Sequence, residues 1–572
     1  MSIRPITGNP SELILEQLVA SGIKYVFYNS GSREAPFFDA LETHPDIQGV
    51  LALHEGIVTS MAGGYTQVDS KPAVMVVHLG AGLAQCMGQL INVWSASLPV
   101  VILTFAGDTG SFGDRISLDL SHNAGPTSIV ESMTKANWTV IEPEGLPAAI
   151  ERGIRVAMTP PIGPVHIAVY DRLLNNQQIT TNLSEGVIET PRGGYPADSD
   201  LEKVAVALHA AERPMIYVGD GVWKSGAQEK VTAIAEHFGV AVASAPGDLR
   251  SISAAHPQNV GRFVSAAERY DPDVIIAIGS RHGGSGAASD YDGFSMAKQI
   301  IAIGSDVEHF TNMPGLDLAI LGDEFRSLER LEQMVLSEYE PARYDERRQH
   351  ARTAANDLRA ARRSIISRSQ AGRVSSAALL DALDSSLESM GGGIITTEQF
   401  ATPLDAVNPK EGGGSNIYLR PASGSEGYGM GAVMGAKLAA PNQPIVGLVG
   451  DGSMYYADSA LWTAAHHKIP VLWTIANNGA YGIVAGAFGG ANGTMKSSGN
   501  YAGVVLDGIE PVKIAEGFGV EGKTVTDESQ VGNEITRGLE LVQREKRPFL
   551  LDVRLPLGLP EGGQAATVWE LG

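Results

Sequence analysis

Residues 447–483, GLVGDGSMYYADSALWTAAHHKIPVLWTIANNGAYGI, decide the fold. Two apolar strands in this stretch end in polar glycine motifs, Gly-Asp-Gly at 450–452 and Asn-Asn-Gly at 477–479, with a helical segment between them. The carboxyl ends of neighbouring parallel strands meet at one edge of a sheet, where such folds bind ligands. We therefore expect Asp451 and Asn478, although 27 positions apart, to lie side by side.

The residue types at these two strand ends favour a metal-bound diphosphate. Asp451 and Asn478 supply the oxygen atoms that Mg²⁺ prefers, and the backbone carbonyl of Ala480 is a candidate third ligand. Gly452 and Ser453 open the next helix, whose amide groups and serine hydroxyl can hold phosphate. The stretch therefore predicts a site for a diphosphate held through a divalent cation.

The same pattern of apolar strand, glycine-containing turn and amphipathic helix recurs in three blocks of the chain. Examples are PAVMVVHLGAG in the first block, RPMIYVGDG in the second and PIVGLVGDG in the third. Such alternation predicts parallel sheets covered on both faces. We expect an α/β protein with three doubly wound parallel-sheet domains at residues 1–180, 195–340 and 370–572. A polar linker is expected at 178–200 and a solvated helical connector at 338–370.

Composition limits the classes of partner. The chain has 572 residues and a formal net charge of −22, which argues against nucleic acid or an anionic membrane. Its one cysteine, Cys86, excludes a disulfide framework and is expected to be a buried structural thiol. The N-terminus lacks a signal-peptide pattern, and the longest apolar strands are too short to span a bilayer. We expect a cytoplasmic protein that acts on a small molecule.

Two separate motifs carry a family resemblance. GDGS followed by NNGAYG resembles the cofactor signature of the thiamine diphosphate (ThDP)-dependent decarboxylases and carboligases, the acetolactate synthase-like superfamily. That family also has a glutamate after a strand of its first domain, and LHEGIVTSMAGGYTQ supplies Glu55 almost 400 residues upstream. The resemblance covers nearly the whole chain. It implies a pyrimidine-binding, a central and a diphosphate-binding domain, with ThDP and Mg²⁺ (or Ca²⁺ or Mn²⁺) as cofactors.

The resemblance also implies roles for individual residues. Glu55 would hydrogen-bond the aminopyrimidine ring and help the cofactor to lose a proton; the alternative is a charge that stabilises a helix N-terminus. The other implied cofactor contacts are Gly82, Gln399, Gly424, Glu426, Tyr428, Gly452, Ser453, Asn478, Tyr481, Gly482 and Ile483. In this family the pyrimidine site of one chain faces the diphosphate site of another. A homodimer is thus the smallest expected assembly, and a homotetramer is common.

HLGAGLAQCMGQL and the segment before NNGAYG resemble the benzoylformate decarboxylase branch. By that resemblance His78 would exchange protons with the reacting groups, which suits an imidazole near neutral pH, and Ser32 would hold the substrate carboxylate. The alternative for His78 is a hydrogen-bonded residue at a strand end. Ile483 and Ala487 would face the substrate.

Other histidines of the chain are weaker candidates. His282 and His122 are possible further contacts of the site, whereas His54 is expected to point away from it. His466 and His467 are expected to interact with a helix dipole.

Two features depart from the family pattern. Relatives carry a bulky apolar residue where this chain has Glu426, and a charged carboxylate there would repel a 2-oxo acid unless it were protonated. The segment YVGDGVWKSGA lacks the glycine cluster with which acetolactate synthases hold FAD, so FAD is not expected.

The leading interpretation is ThDP- and Mg²⁺-dependent cleavage of a C–C bond next to a carbonyl, by non-oxidative decarboxylation of a 2-oxo acid. One alternative is an acyloin or 2-hydroxyacyl carboligase or lyase, and another is a cyclic diketone hydrolase. A fourth is a paralogue that has lost catalysis. Such chains usually lose the activating glutamate or a metal ligand, and Glu55, Asp451 and Asn478 are all present.

Overall fold

Three six-stranded parallel sheets, each flanked by helices, organise the computed structural model of this chain. The structure describes residues 2–69, 71–107, 127–187, 189, 191–245, 247–283, 294, 296–335, 337–421, 424–491 and 493–559. The three parallel sheets confirm the predicted α/β class. Within the described residues no helix is both long enough and apolar enough to cross a membrane.

The N-terminal sheet has the spatial order β3 (Gln48–Leu51), β2 (Tyr25–Tyr28), β4 (Ala73–Val76), β5 (Val100–Ala106), β7 (Val165–Tyr170) and β6 (Ala136–Val140). Its helices are α1 (Pro10–Ala20), α2 (Ala35–Thr43), α3 (Glu55–Asp69), α4 (Ala81–Ser95) and α5 (Leu146–Met158). β1 (Ser2–Gly8) pairs antiparallel with β8 (Ile179–Glu185) outside this sheet. Residues 179–185, expected to belong to a linker, are therefore a strand.

The central sheet has the order β11 (Asn259–Arg262), β10 (Ala241–Ser244), β9 (Pro214–Val218), β12 (Val274–Ile278), β13 (Gln299–Gly304) and β14 (Leu318–Leu321). Its helices are α6 (Asp198–Ala210), α7 (Gly221–Ser225), α8 (Gln228–Phe238), α9 (Phe263–Tyr270) and α10 (Glu324–Val335). α11 (Asp345–Ile366) leads to the C-terminal domain. The expected solvated connector is wrong for this helix, because Arg359 and Arg362 are buried on it.

The C-terminal sheet has the order β16 (Ile417–Leu419), β15 (Ile394–Glu398), β17 (Ile445–Gly450), β18 (Leu472–Asn477), β20 (Phe549–Arg554) and β19 (Glu521–Val525). Its helices are α12 (Ser376–Ser389), α13 (Tyr428–Ala439), α14 (Asp451–Tyr456), α15 (Ala460–His467), α16 (Gly482–Gly490), α17 (Thr494–Ser498), α18 (Pro511–Gly517) and α19 (Val531–Glu545). β17 and β18 are neighbours, as the opening motif predicts.

Helices α3 and α13 join the first and third domains through glycine. A methyl group at Gly64 would overlap the carbonyl oxygen of Ala432, and one at Gly435 would overlap that of Met61. Backbone therefore packs directly on backbone, which only residues without a side chain permit. Apolar side chains of both domains surround this crossing in one continuous core.

Gly435→Ala should lower the free energy of unfolding by about 1–3 kcal/mol, because the helices must separate to admit a methyl group. Gly88→Ala is the matched control. Gly88 lies exposed inside α4 with its nearest neighbour 3.8 Å from the added carbon, so alanine there should be neutral or stabilise by about 0.5–1 kcal/mol. Urea unfolding of both variants gives the comparison, and equal losses would contradict the close crossing.

Candidate active site

The carboxyl ends of β17 and β18 place Asp451 and Asn478 next to each other. Gly450 is the register partner of Ala476, so the residues that follow these strands share one edge of the sheet. Asp451 begins α14 and is 2% exposed, and Asn478 is 8% exposed. A carboxylate and an amide are thus held at the edge where parallel sheets bind ligands.

The Asp451 loop fits a divalent cation. The Oδ2 atom of Asp451 is buried and has no hydrogen-bond partner among the described residues. Burial raises the pKa of this carboxyl to about 6, although amide groups that include those of Asn478 and Gly452 oppose the rise. The Ala480 carbonyl accepts from the amide of Gly482 at 2.9 Å and keeps its second lone pair for a metal.

The metal would therefore be held by a mixed set of donors. In the described part of the chain no three His, Cys, Asp or Glu side chains form a metal-binding cluster. An aspartate, an amide and a backbone carbonyl, completed by phosphate oxygens, suit Mg²⁺ better than an all-protein cage would.

The chain beyond β20 closes over this loop. The amides of Leu555 and Gly558 donate to the carbonyl oxygens of Asn477 and Asn478 at 2.8 and 2.9 Å. Asn477 also donates from its side chain to Asp552 at 2.8 Å. The first asparagine of the motif thus fixes the loop. Oδ1 of the second, Asn478, accepts from the amide of Ala480 at 3.2 Å and keeps a second lone pair for a ligand.

Ser453 and Gly452 form the next part of the edge. The Ser453 hydroxyl donates to Oε2 of Glu426 at 2.5 Å. A methyl group at Gly452 would lie 2.7 Å from the ring of Tyr481, so the close approach of that ring requires glycine. Ile483 is half-buried at the start of α16 and Ala487 is exposed one turn later.

In the N-terminal domain, Glu55, Gly82 and His78 line one space. Glu55 begins α3 and is 8% exposed. A methyl group at Gly82 would lie 3.0 Å from its Oε1 atom and 3.3 Å from Cβ of His78. A side chain at position 82 would therefore crowd the buried carboxylate, and glycine leaves room beside it for an aminopyrimidine partner.

A buried carboxylate that the sequence reasoning missed holds the His78 imidazole. Oε1 of Glu34 lies 2.8 Å from Nδ1 of His78, and the Glu34 side chain is 0% exposed. A methyl group at Gly31 would meet both Glu34 and His78 at 2.5 Å. The only sequence signal was the position of Glu34 two residues after Ser32, which lies exposed in the same loop.

The N-terminal domain contacts the Glu426 segment within a single chain. Gln89 and Asn92 of α4 donate to the carbonyl oxygens of Glu426 and Ser425 at 2.5 and 2.8 Å. Neither side chain was singled out from the sequence, although Gln89 lies within the stretch HLGAGLAQCMGQL that carries the resemblance. The contact places the Glu426 segment against the helix that also carries Gly82.

Glu398, at the end of β15, provides a second carboxyl group beside Glu426. It accepts a hydrogen bond from the amide of Gly429 at 2.5 Å and is 5% exposed. Burial, followed by the charge of Glu426, raises the pKa of Glu398 to about 8. Glu398 is therefore the neutral member of the two near pH 7, which the sequence alone did not suggest.

Some predicted contacts have other partners. The Gln399 amide bonds Thr397 and Thr402 of its own loop. The Tyr428 hydroxyl donates to Gln67 at 3.0 Å, so its side chain joins α13 to α3. Gly424 is exposed.

The histidines are also placed by their contacts. His467 accepts from the amide of Leu51 at 2.9 Å and His466 stacks on Trp462, so both have partners beyond the expected helix dipole. His54 accepts from the amide of Gly56 at 2.9 Å. His282 lies at the carboxyl edge of the central sheet, and His122 lies outside the described residues.

Cys86 is fully buried in α4, and burial raises the pKa of its thiol to about 12. The expected structural thiol is therefore what the structure contains, since an un-ionised buried thiol is a poor nucleophile.

One cavity lies away from these residues. It has a volume of about 610 Å³ and separates the N-terminal domain from the carboxyl edge of the central sheet. Its Asp220 accepts from both Lys224 and Arg281 at 2.5 Å, and Lys224 also donates to the carbonyl of Ala96 after α4. These charges bind the two domains together, so cavity size alone does not locate the chemistry.

Comparison with family models supports the same division of the chain. Residues 9–125 match the thiamine pyrophosphate enzyme N-terminal TPP binding domain, 201–331 the central domain and 411–553 the C-terminal TPP binding domain. The fold and these sites define a cofactor-dependent α/β enzyme. The chain belongs to the thiamine pyrophosphate enzyme family, thiamine pyrophosphate being another name for ThDP.

Curated relatives and solved structures fall within that family. Benzoylformate decarboxylase of Pseudomonas aeruginosa is 25% identical over 94% of this chain and 97% of its own length. The acetolactate synthase large subunit of Corynebacterium glutamicum is 25% identical over 100% of this chain and 89% of its own length. The ThDP-dependent 4-hydroxybenzoylformate decarboxylase of Rhodococcus jostii has a TM-score of 0.76 at 24% identity, covering 96% of this chain and 99% of its own. At that identity the structural likeness establishes the fold alone.

Glu398→Gln should flatten the pH dependence of stability. Because its pKa is raised, Glu398 keeps its proton in the folded protein, whereas in the unfolded chain it loses that proton above about pH 4.5. The contribution of Glu398 to the free energy of unfolding is therefore complete below pH 4.5 and disappears as pH rises towards 8. The glutamine side chain of the variant is neutral at every pH. Its free energy of unfolding should therefore lack the decline of roughly 1 kcal/mol per pH unit that the wild type shows in this pH range. Urea unfolding from pH 5 to 8 measures it, with exposed Glu516→Gln as the control; parallel curves would refute the assignment.

Proposed function

We propose that this enzyme cleaves a C–C bond next to a carbonyl, and that its reaction is the non-oxidative decarboxylation of a 2-oxo acid with ThDP and Mg²⁺. Ca²⁺ or Mn²⁺ would also suit the oxygen donors. When bound, ThDP supplies the carbon nucleophile that attacks the substrate carbonyl. FAD is not part of the proposal, because the glycine cluster that holds it elsewhere is missing.

In this proposal Asp451, Asn478 and the carbonyl of Ala480 hold the metal. The backbone amides of Gly452 and Ser453 at the start of α14 hold the diphosphate, since the one hydroxyl proton of Ser453 is donated to Glu426. The unpartnered Oδ2 of Asp451 supports this role, since a buried anion without a counterion is costly. Glu55 would hydrogen-bond the aminopyrimidine ring, beside the space that Gly82 leaves open.

The pairing of His78 with Glu34 is the observation that carries the reaction. A carboxylate on Nδ1 fixes the orientation of the imidazole and stabilises its charged form, so Nε2 is the atom that would exchange protons with the substrate. The pair adjoins Gly82 and therefore Glu55. Ser32, in the loop that also carries Glu34, would hold the substrate carboxylate.

The neutral Glu398 limits the repulsion that an anionic substrate would meet beside Glu426, but it does not remove the charge of Glu426 itself. Two charged carboxylates beside the cofactor would repel a 2-oxo acid, but here Glu398 retains its proton and Glu426 is held by the Ser453 hydroxyl. Glu426 at the position of an apolar residue also suits a second acid–base step. That supports the alternative of an acyloin or 2-hydroxyacyl carboligase or lyase, as does the similarity to acetolactate synthases. A cyclic diketone hydrolase would use the same residues.

A panel of 2-oxo acids from pyruvate to benzoylformate, assayed with ThDP and Mg²⁺ for CO₂ and aldehyde together, tests the reaction. At least one substrate should give both products. Glu55→Gln should abolish turnover, and Glu34→Gln should lower kcat by about 10²–10⁴-fold by disabling the proton transfer. Silence across the panel from enzyme with ThDP bound would refute decarboxylation, and acyloins, 2-hydroxyacyl thioesters and cyclic diketones would then be assayed.

We also propose a homodimer at least, and a homotetramer as the working assembly. The exposed apolar side chains of Ile91 and Trp94 on α4 and of Val484 and Phe488 on α16 are suited to an interface. Both helices carry predicted site residues, so a second chain covering them would also cover the site.

Mixing two inactive variants tests whether sites are shared between chains. Equal amounts of Glu55→Gln and Asp451→Ala chains, unfolded and reassembled together, should recover about one quarter of wild-type activity if each site takes Glu55 from one chain and Asp451 from the other. Half of the dimers then contain one intact site. Separate reassembly of each variant is the control, and no recovery in the mixture would show that each site is built from one chain.

A further inference from the structure

Four arginines converge where the central domain meets the C-terminal domain. Arg262 ends β11 and Arg420 follows β16, so each edge strand carries an arginine at its carboxyl end. Arg359 and Arg362 lie on α11, which runs between the two domains. We call these four residues the arginine seam; Asp405, in the turn Leu404–Ala406, lies among them.

The arginine seam has more positive than negative charge. Nε of Arg362 lies 3.5 Å from Oδ2 of Asp405, and both side chains are nearly buried. In the described part of the chain no ion pair within 4.0 Å is found for the other three arginines. The charges of Asp405, Glu426 and Glu398 act on Arg420 from further away and offset part of the positive charge. The pKa of Arg420 falls to about 10 through burial first and the neighbouring charge of Arg262 second.

Several hydrogen-bond donors of the seam lack partners. Nη1 and Nη2 of Arg362 and the hydroxyl of Thr402 are buried and bond no described residue, and among acceptors Oδ2 of Asp405 is likewise without a hydrogen-bond partner. Arg362 is 7% exposed and Thr402 is 1% exposed. Unpaired buried donors on charged groups are costly, so this arrangement calls for an acceptor.

A space for that acceptor exists beside these groups. A cavity of about 40 Å³ is lined by Arg262, Arg362, Arg420, Asp405 and Thr402. A single water needs about 10–15 Å³ by this measure, so a group of several heavy atoms is a better match. Water could accept hydrogen bonds from the donors, but it would leave the excess positive charge uncompensated.

We propose that the arginine seam binds one small oxyanion, a phosphate or a carboxylate. Guanidinium groups bind both through paired N–H donors, and the Thr402 hydroxyl adds another donor. The ligand joins β11 of the central domain, α11 and the loop after β15. Gln399, which bonds Thr402 in that loop, also lines the cavity, so binding there steadies the chain next to Glu398.

Calorimetric titration of the ThDP- and Mg²⁺-loaded protein tests the proposal, because the loaded cofactor occupies the diphosphate site. Inorganic phosphate, sulfate and malonate are titrated separately in chloride buffer of constant ionic strength. One equivalent per chain is expected to bind. Saturation by phosphate and sulfate alone identifies a tetrahedral ion, and saturation by malonate identifies the carboxylate of an organic acid.

Variants locate the binding. Arg362→Met should weaken it by at least about tenfold, because two charged donors are lost. Arg352→Met is the matched control on α11, because its guanidinium bonds Glu411 and does not line the cavity, and the affinity of this variant should not change. Asp405→Asn should tighten binding several-fold by removing the repelling carboxylate, a gain that a folding defect cannot imitate.

The proposal is overturned if none of the three anions binds saturably. It is also overturned if Arg362→Met binds as tightly as wild type, or if Asp405→Asn binds no more tightly. If Arg362→Met fails to fold, the anion affinities of Asp405→Asn and Arg420→Met test the proposal instead.

Discussion

The contact between α3 and α13 is the constraint on which the other features of the site depend. Its two backbones meet where Gly64 and Gly435 have no side chains, and such close packing leaves little freedom for the helices to shift. α3 begins at Glu55, and α13 follows Glu426 by two residues. One rigid crossing therefore fixes the first domain relative to the Glu426 segment of the same chain, and the loops between strands and helices supply the polar side chains.

The charges around this crossing show how a family scaffold accommodates an unusual residue. By the family resemblance an apolar side chain is expected where this chain has Glu426, and Glu426 is accompanied by the Ser453 hydroxyl and the neutral carboxyl of Glu398. Glu398 is kept neutral by burial and by the charge beside it, although backbone amides at the start of α13 act in the opposite direction. Glu426 can thus lie beside the expected cofactor site without a second full negative charge on the neighbouring Glu398.

The sequence predicted what depends on local pattern. Strands that end in glycine motifs at 450–452 and 477–479 predicted the neighbouring positions of Asp451 and Asn478, because strand ends in a parallel sheet share one edge. It did not predict the bond between Glu34 and His78, or that between Gln89 and Glu426, because each joins segments that only the fold brings together. The same limit explains why a solvated connector was expected at 338–370. The charged composition of this segment does not indicate that two of its arginines are buried.

The segment after β20 couples residues 555–559 to the loop that carries Asn477 and Asn478. Leu555 and Gly558 bond the two asparagine carbonyls, so a ligand that orders Asn478 also orders this segment, and the coupling must be reciprocal. Local opening of residues 555–559 then costs more in the loaded enzyme than in the empty one. Resistance of this segment to proteolysis is therefore a direct reporter of cofactor occupancy, readable without any substrate.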